Sequence, residues 1–348
     1  MKIHYIIGHI LTLALIVCAS ISELSAQKLD NKQITSTIKL TKEQIKSIQK
    51  IALEYFQPLP NNMPGSQNDT DNKITLGKKL YFETALSLNN SQSCNSCHNI
   101  LNNGSGADGL VVSVGALGHK GTRNSPTTWN AGFQFTQFWD GKVNTLAEQA
   151  KFPILNQIEM AMPSTEEVIS RLKEKGYPAL FQQAYPDVAN PLSLGNVTDS
   201  LAAFQRTLIT EDRLDRFLNG NLLALTDQEI KGLESFIIVG CAGCHNGPLL
   251  GGHMYSRMGV VNPYPNKNDK GRANISKNPA DNFVFKVPTL RNVSKTAPYF
   301  HDGAVDNLTQ AVKDTAFHQL GKSLSEEETN SITQFLTSME NTKTSIKQ

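Results

Sequence analysis

The sequence predicts a mainly α-helical chain made of two tandem halves related by internal duplication. Three observations carry that expectation. Cys-x-x-Cys-His occurs twice, as Cys94-Asn95-Ser96-Cys97-His98 and as Cys241-Ala242-Gly243-Cys244-His245. Two further stretches, SPTTWNAGFQFTQFWDG from Ser125 to Gly141 and VPTLRNVSKTAPYFHDG from Val287 to Gly303, align without gaps. Helical apolar spacing recurs along the chain, whereas strand-like alternation is scarce.

A Cys-x-x-Cys-His run is the attachment signature of c-type haem. Two thiols add across the two vinyl groups, and the adjacent imidazole reaches the iron. A zinc ribbon wants two Cys-x-x-Cys pairs about 15–20 residues apart, and here the pairs lie in different halves. A redox dithiol needs no trailing histidine. The reading is two covalently bound haem c groups, on Cys94, Cys97 and His98 and on Cys241, Cys244 and His245. Each half is then a cytochrome c-like haem domain. The cysteines balance: Cys18 lies in an N-terminal apolar stretch, the other four are in the motifs, and none remains for a disulfide.

Taken in order, residues 1–26 read as a signal peptide, with Lys2 before the apolar stretch Ile6 to Ala19 and small residues at Ser25-Ala26. The expected location is the periplasm. A lipoprotein acylated on Cys18 is the weaker alternative, because bulky Val17 stands where a small residue is normally wanted. No later segment approaches the roughly 18 apolar residues of a membrane span. A formal net charge of +2 gives no reason to expect nucleic acid.

The first haem domain is assigned to 27–209 and the second to 210–348, with the hinge near Thr210 to Asp212. Asn61 to Asn72 is expected to be a flexible surface loop. An amphipathic helix precedes each haem motif, Lys73 to Phe82 and Asp227 to Ile238. Within the repeat, Pro126/Pro288, Thr127/Thr289, Asn130/Asn292, Phe138/Phe300, Asp140/Asp302 and Gly141/Gly303 coincide, and helices follow from Leu146 and Leu308. Further helices are expected over Thr165 to Lys175, Asp212 to Leu218 and Ser325 to Met339, the last opening on a capping-box pattern. Loops rich in Gly, Asn and Pro, around Asn102 to Gly109 and Gly259 to Asn282, are expected by the haem edges.

The halves are unequal. Trp139 stands where the second repeat has His301, and Glu159 falls opposite Gly321 in the gap-free alignment. Splitting peroxide at a haem needs a group that takes the proton from the near oxygen and returns it to the leaving one. A carboxylate in a poorly solvated pocket can do this, because burial raises its pKa toward working pH. The competing reading of Glu159 is a solvated helix carboxylate, and that of Trp139 a core aromatic.

The strings LGKKLYF, CNSCHN, GTRNSPT, QFWDG, LAEQAKFPI and IEM in the first half, with GCAGCHNG, PTLRN, TAPYFHDGA and QLG in the second, resemble those of the bacterial di-haem cytochrome c peroxidases, a family that includes the MauG-type enzymes. The similarity runs from about Leu76 to Met339. It implies that the first haem reduces hydrogen peroxide and that the second accepts electrons from a small donor protein, a cytochrome c or a cupredoxin. Trp139 would carry electrons between the haems, and Glu159 would be the acid–base residue. His301 matches a histidine near the second haem. Asn124, with carbonyls of Thr296 and Pro298, would hold a calcium ion, and a homodimer is common in the family.

Two departures stand out. A removable His ligand of the first haem falls at Ala116 here, with His119 three residues on. The Met ligand of the second haem falls at Thr315, with His318, Met254 and Met258 as substitutes. Two other functions stay open: a MauG-like oxidase acting on a protein substrate, and a di-haem electron carrier without catalysis.

Overall fold

The computed structural model describes residues 39–101 and 104–343. The expected signal peptide and Cys18 lie outside the described residues. The described residues from Leu40 onward form one compact unit, mainly helical, with a single two-stranded antiparallel sheet that pairs Tyr255–Arg257 with Val284–Lys286. Among the described residues no helix is long and apolar enough to cross a membrane.

Two hydrophobic cores organise the helices. The first centres on the crossing of helices Asp71–Tyr81 and Leu194–Gln205. These approach so closely that a Cβ on Gly77 would lie 1.7 Å from the Ser200 carbonyl oxygen. One turn on, Tyr81 meets Phe204 edge-on at 5.3 Å. The second core centres on helices Asp227–Val239 and Glu326–Thr337. There a Cβ on Gly232 would lie 1.9 Å from the Ser331 carbonyl oxygen, and one turn on Phe236 meets Phe335 at 5.4 Å. Glycine serves both crossings because only a residue without a side chain lets two backbones touch.

The repeated stretches follow one backbone course. Asn130 and Asn292 are both left-handed at φ 61°, and their N–H groups donate to the carbonyls of Leu208 and Met339. Phe138 and Phe300 are left-handed at 65° and 70°. Isolated bridges Gln137–Val143 and Tyr299–Val305 close equivalent turns.

Three details differ from the sequence expectations. Helix Lys42–Tyr55, opened by a Thr41/Gln44 capping box, comes from the stretch assigned to the first domain. Its stripe Ile45, Ile48 and Ala52, continued by Phe56, nevertheless packs in the second core, where Phe56 lies 6.3 Å from Phe236. The stretch Asn61 to Asn72 is anchored rather than loose. Met63 is buried at 1 % exposure, Asp69 accepts two hydrogen bonds from Arg206 at 2.5 and 2.6 Å, and Thr70 caps the helix from Asp71. Finally, the gap-free pairing of Glu159 with Gly321 fails. Helix Leu146–Leu155 contains Pro153, which has no N–H for the helical ladder, and the chain leaves the helix two residues later. Thr315 at the same repeat position keeps its N–H, and helix Leu308–Leu320 runs on to a left-handed Gly321 cap.

Candidate functional site

Each haem motif is a tight turn that ends in a positioned imidazole. Cys94–Cys97 forms one helical turn, boxed at its start by Ser93 and Ser96. His98 leaves the helix, and its Nδ1 lies 2.9 Å from the Pro126 carbonyl oxygen. Cys241–Gly243 is a 3₁₀ turn, and His245 Nδ1 lies 2.9 Å from the Leu250 carbonyl oxygen. With Nδ1–H donating to a carbonyl, Nε2 keeps its lone pair for a metal. Burial lowers the pKa of both histidines and so favours the neutral, ligating form.

The surroundings fit covalent haem. Among the described residues, Trp129 Nε1 and His301 Nε2 are buried without a protein partner, and buried polar atoms are normally bonded. An indole N–H can only donate, so Trp129 is suited to an acceptor such as a haem propionate. Glycines clear the approach: a Cβ on Gly251 would lie 2.1 Å from the Pro288 carbonyl oxygen and 3.3 Å from His245 Nδ1. On the first side, a Cβ on Gly106 would lie 2.6 Å from Thr127 Oγ1 and 2.8 Å from Trp129 Cδ1.

Glu159 sits in the turn after Pro153, near enough to the first motif for its charge to act on Cys97. The 113–121 hairpin lies over this turn. Ala116 N–H donates to the Glu159 carbonyl at 2.7 Å, and a Cβ on Gly115 would lie 1.9 Å from the Ile158 carbonyl oxygen. Solvent reaches Glu159, yet the surrounding protein raises its carboxyl pKa by desolvation; an Asn156 hydrogen bond and the charge of Lys142 oppose that rise. Lys142 is pinned over the rings of Phe152 and Phe138, at 3.6 and 5.7 Å. Ala116 is buried at 8 % exposure, whereas His119 is exposed in the same hairpin.

Between the halves, Trp139 and its repeat partner His301 face each other, with ring centroids 6.5 Å apart at 71°. Trp139 Nε1 donates to the Asn124 carbonyl at 2.9 Å, and Asn124 N–H donates to the His301 carbonyl at 2.8 Å. His301 stacks on Phe285 at 4.2 Å. The Asn124 side chain donates to the Leu110 carbonyl at 2.9 Å. The same 109–111 segment abuts the stretch of Thr296 and Pro298: a Cβ on Gly109 would lie 4.0 Å from the Ala297 carbonyl oxygen.

Around the second motif, Thr315 and His318 are one turn apart on helix Leu308–Leu320. His318 Nδ1 lies 2.9 Å from the Asn262 carbonyl oxygen, and its ring meets Tyr264 at 5.4 Å. Met254 and Met258 are half-buried beside the sheet; Met254 accepts from Val287 N–H at 2.9 Å and Met258 N–H donates to Phe283 at 2.8 Å.

Sequence reasoning missed two groups here. Lys286 is buried, donates from Nζ to the Thr136 carbonyl at 2.7 Å, and is pushed down to a pKa of about 7 by desolvation. Arg123 bridges Asp140 and Asp269 across a wide sequence gap, each at 2.6 Å. Neither carries a local signal, because their partners are defined only by the fold.

Known proteins give a consistent answer. The sequence profile described as di-haem cytochrome c peroxidase matches residues 71–222. The cytochrome c551 peroxidase of Pseudomonas aeruginosa is 40 % identical over 83 % of this chain and 85 % of its own length. The methylamine utilization protein MauG of Methylophilus methylotrophus is 32 % identical over 73 % of this chain and 76 % of its own. Among solved structures, a MauG-like protein associated with microbial copper homeostasis superposes with a TM-score of 0.73 at 26 % identity, covering 82 % of this chain and 94 % of that one. The two Cys-x-x-Cys-His turns, the helical fold and this extent of identity converge: the chain belongs to the di-haem cytochrome c peroxidase family and is a peroxidase.

Proposed function

We propose that the protein reduces hydrogen peroxide to water in the periplasm through two unequal haem domains descended from one duplicated unit. The first domain lies within 27–209 and the second within 210–348, with helix Lys42–Tyr55 lent to the second. Support for the duplication comes from the paired glycine crossings at Gly77 and Gly232 and the shared left-handed positions at Asn130 and Asn292. Cys94, Cys97 and His98 would hold the haem that serves peroxide reduction, and Cys241, Cys244 and His245 would hold the haem that serves electron entry from a small donor protein, a cytochrome c or a cupredoxin.

When bound, haem supplies a redox iron in each domain. The observation that carries the division of labour is the place of Glu159, beside the first motif in a turn that helix Leu308–Leu320 does not make; its side chain is open to solvent, yet the surrounding protein raises its carboxyl pKa. Its carboxylate takes the proton from the near peroxide oxygen and delivers it to the far one, which leaves as water. The reaction consumes two electrons and two protons per peroxide. Trp139, packed against His301 and held by Asn124, lies on the electron path between the domains. Buried Ala116 offers no ligand and His119 is exposed, which supports a peroxide site that is open without prior reduction. His318, its Nδ1 engaged by Asn262, is the proposed substitute for the missing Met at Thr315. Asn124 Oδ1 with the Thr296 and Pro298 carbonyls is the proposed calcium set; oxygen donors of this type suit calcium.

The test is Glu159→Gln. Peroxide turnover should collapse by about 10²–10⁴-fold, the range of a lost acid–base group, while two haems per chain remain attached. Near-normal turnover overturns the role of Glu159. A second reading, an oxidase acting on a protein side chain as in MauG-type relatives, is favoured by Thr315. It predicts weak turnover with every small donor, and oxidising power that outlasts the added peroxide.

A further inference from the structure

Peroxide withdraws two electrons at once, whereas a donor protein returns them singly. In the interval an oxidising equivalent must rest on the protein or its cofactors. One phenol is placed to receive it. Tyr264 is 6 % exposed, and its ring lies 5.8 Å from that of His301. Trp139 packs on the same imidazole at 6.5 Å. Both spacings are those of packed aromatic pairs, so a single ring links the indole to the phenol.

The Tyr264 hydroxyl also has a proton acceptor. It donates to Asp302, 3.1 Å from Oδ1 and 3.3 Å from Oδ2. Asn266 Nδ2 donates to the same carboxylate at 2.8 Å and fixes it in place. Because Asp302 already accepts the phenolic hydrogen bond, the proton has a place to go as the electron leaves. The other rings around it, Phe300 at 5.6 Å and His318 at 5.4 Å, are harder to oxidise than a phenol.

We propose that Tyr264 is a redox-active residue that relieves Trp139 of an oxidising equivalent. One electron passes from the phenol across His301 to the oxidised indole and restores it. The phenolic O–H bond breaks, and the proton moves to the Asp302 carboxylate. The products are a neutral phenoxyl radical on Tyr264 and a protonated Asp302. Hydrogen peroxide is the ultimate oxidant, and one electron returned by the donor protein, with the proton coming back from Asp302, resets the pair. The inference rests on the place of Trp139 in the electron path.

The test uses the haem-loaded protein given excess hydrogen peroxide without a donor. Electron paramagnetic resonance reads the radical, and spin trapping with peptide mass spectrometry locates it. A tyrosyl signal that maps to Tyr264, is lost in Tyr264→Phe and weakened in Trp139→Phe, supports the proposal. Asp302→Asn keeps the shape of the site, removes the proton acceptor, and should diminish the signal even if Tyr264→Phe folds poorly. Steady turnover of the wild type in a parallel assay with a reduced donor, with no trapped Tyr264 in the donor-free sample, overturns the role of Tyr264 and leaves the peroxidase reading standing. A Tyr264 signal undiminished in Trp139→Phe overturns the route. Absence of both turnover and radical overturns both.

Discussion

Gly77→Ala tests whether the helix crossing at the centre of the first core is as close as described. The added Cβ would meet the Ser200 carbonyl oxygen at 1.7 Å and the Phe204 Cβ at 3.0 Å. An ordinary carbon–oxygen contact needs about 3.3 Å, so helices Asp71–Tyr81 and Leu194–Gln205 must part by about 1.6 Å. The obstacle is backbone, so no rotamer change relieves it. Overpacking costs about 1–3 kcal/mol, and loosening the Tyr81–Phe204 pair adds about 0.5–1.5 kcal/mol. The helix propensity of alanine returns about 1 kcal/mol. The net expectation is a loss of about 0.5–3.5 kcal/mol, or a fall in Tm of roughly 1–5 °C for a chain of this size. Gly195→Ala in helix Leu194–Gln205 is the control, because its Cβ would meet only Ser193 Oγ at 3.8 Å. It should be neutral or slightly stabilising. The assay is thermal unfolding of the haem-loaded proteins by far-ultraviolet circular dichroism. A Gly77→Ala protein as stable as Gly195→Ala refutes the close crossing.

Three other expectations follow from charged groups whose surroundings constrain them. Arg291, fully buried and paired with Asp212 at 2.7 Å and Asp215 at 2.9 Å, also donates to the Pro248 carbonyl at 2.9 Å; Arg291→Leu strands both carboxylates and should lower unfolding stability by about 3–5 kcal/mol in denaturant titrations. Lys286 has its pKa lowered from 10.5 to about 7. Between those values the unfolded chain holds a proton that the folded chain lacks, so the wild type should gain stability as pH rises from about 7 toward 10.5. Lys286→Met should flatten that rise when the two proteins are unfolded in parallel across this range. Because Glu159 is shifted upward, the acid limb of kcat/KM should fall above the ordinary carboxylate range, and Lys142→Gln should move it further up by removing a charge that favours the carboxylate; a pH–rate profile reads both.

Much of the candidate site was legible because the covalent haem attachment proposed for it is a local demand. Cys94, Cys97 and His98 announce themselves by spacing, and so do Cys241, Cys244 and His245. The amphipathic helix before each motif was legible from its apolar stripe. The homes of other segments depend on long-range partners. Ile45, Ile48 and Ala52 advertise a helix face without saying which core will take it. Pro153 was visible in the sequence, but its effect on the repeat alignment, and hence on the setting of Glu159, emerged only when the helix ends were located. Tyr264 and Lys286 had no signal, since Asp302 and Thr136 become their neighbours only through folding.

Helix Lys42–Tyr55 has a consequence for the order in which this molecule can assemble. Its sticky side is made early, yet Phe217, Phe236 and Phe335, which must cover it, are made late. During synthesis the segment therefore waits, greasy face outward, until Phe335 has been made. A late-folding seam of this kind is the place to look for chaperone dependence and aggregation. It also means that residues 210–348 expressed by themselves would lack one wall of their interior, and that adding a separate 40–57 peptide should restore it.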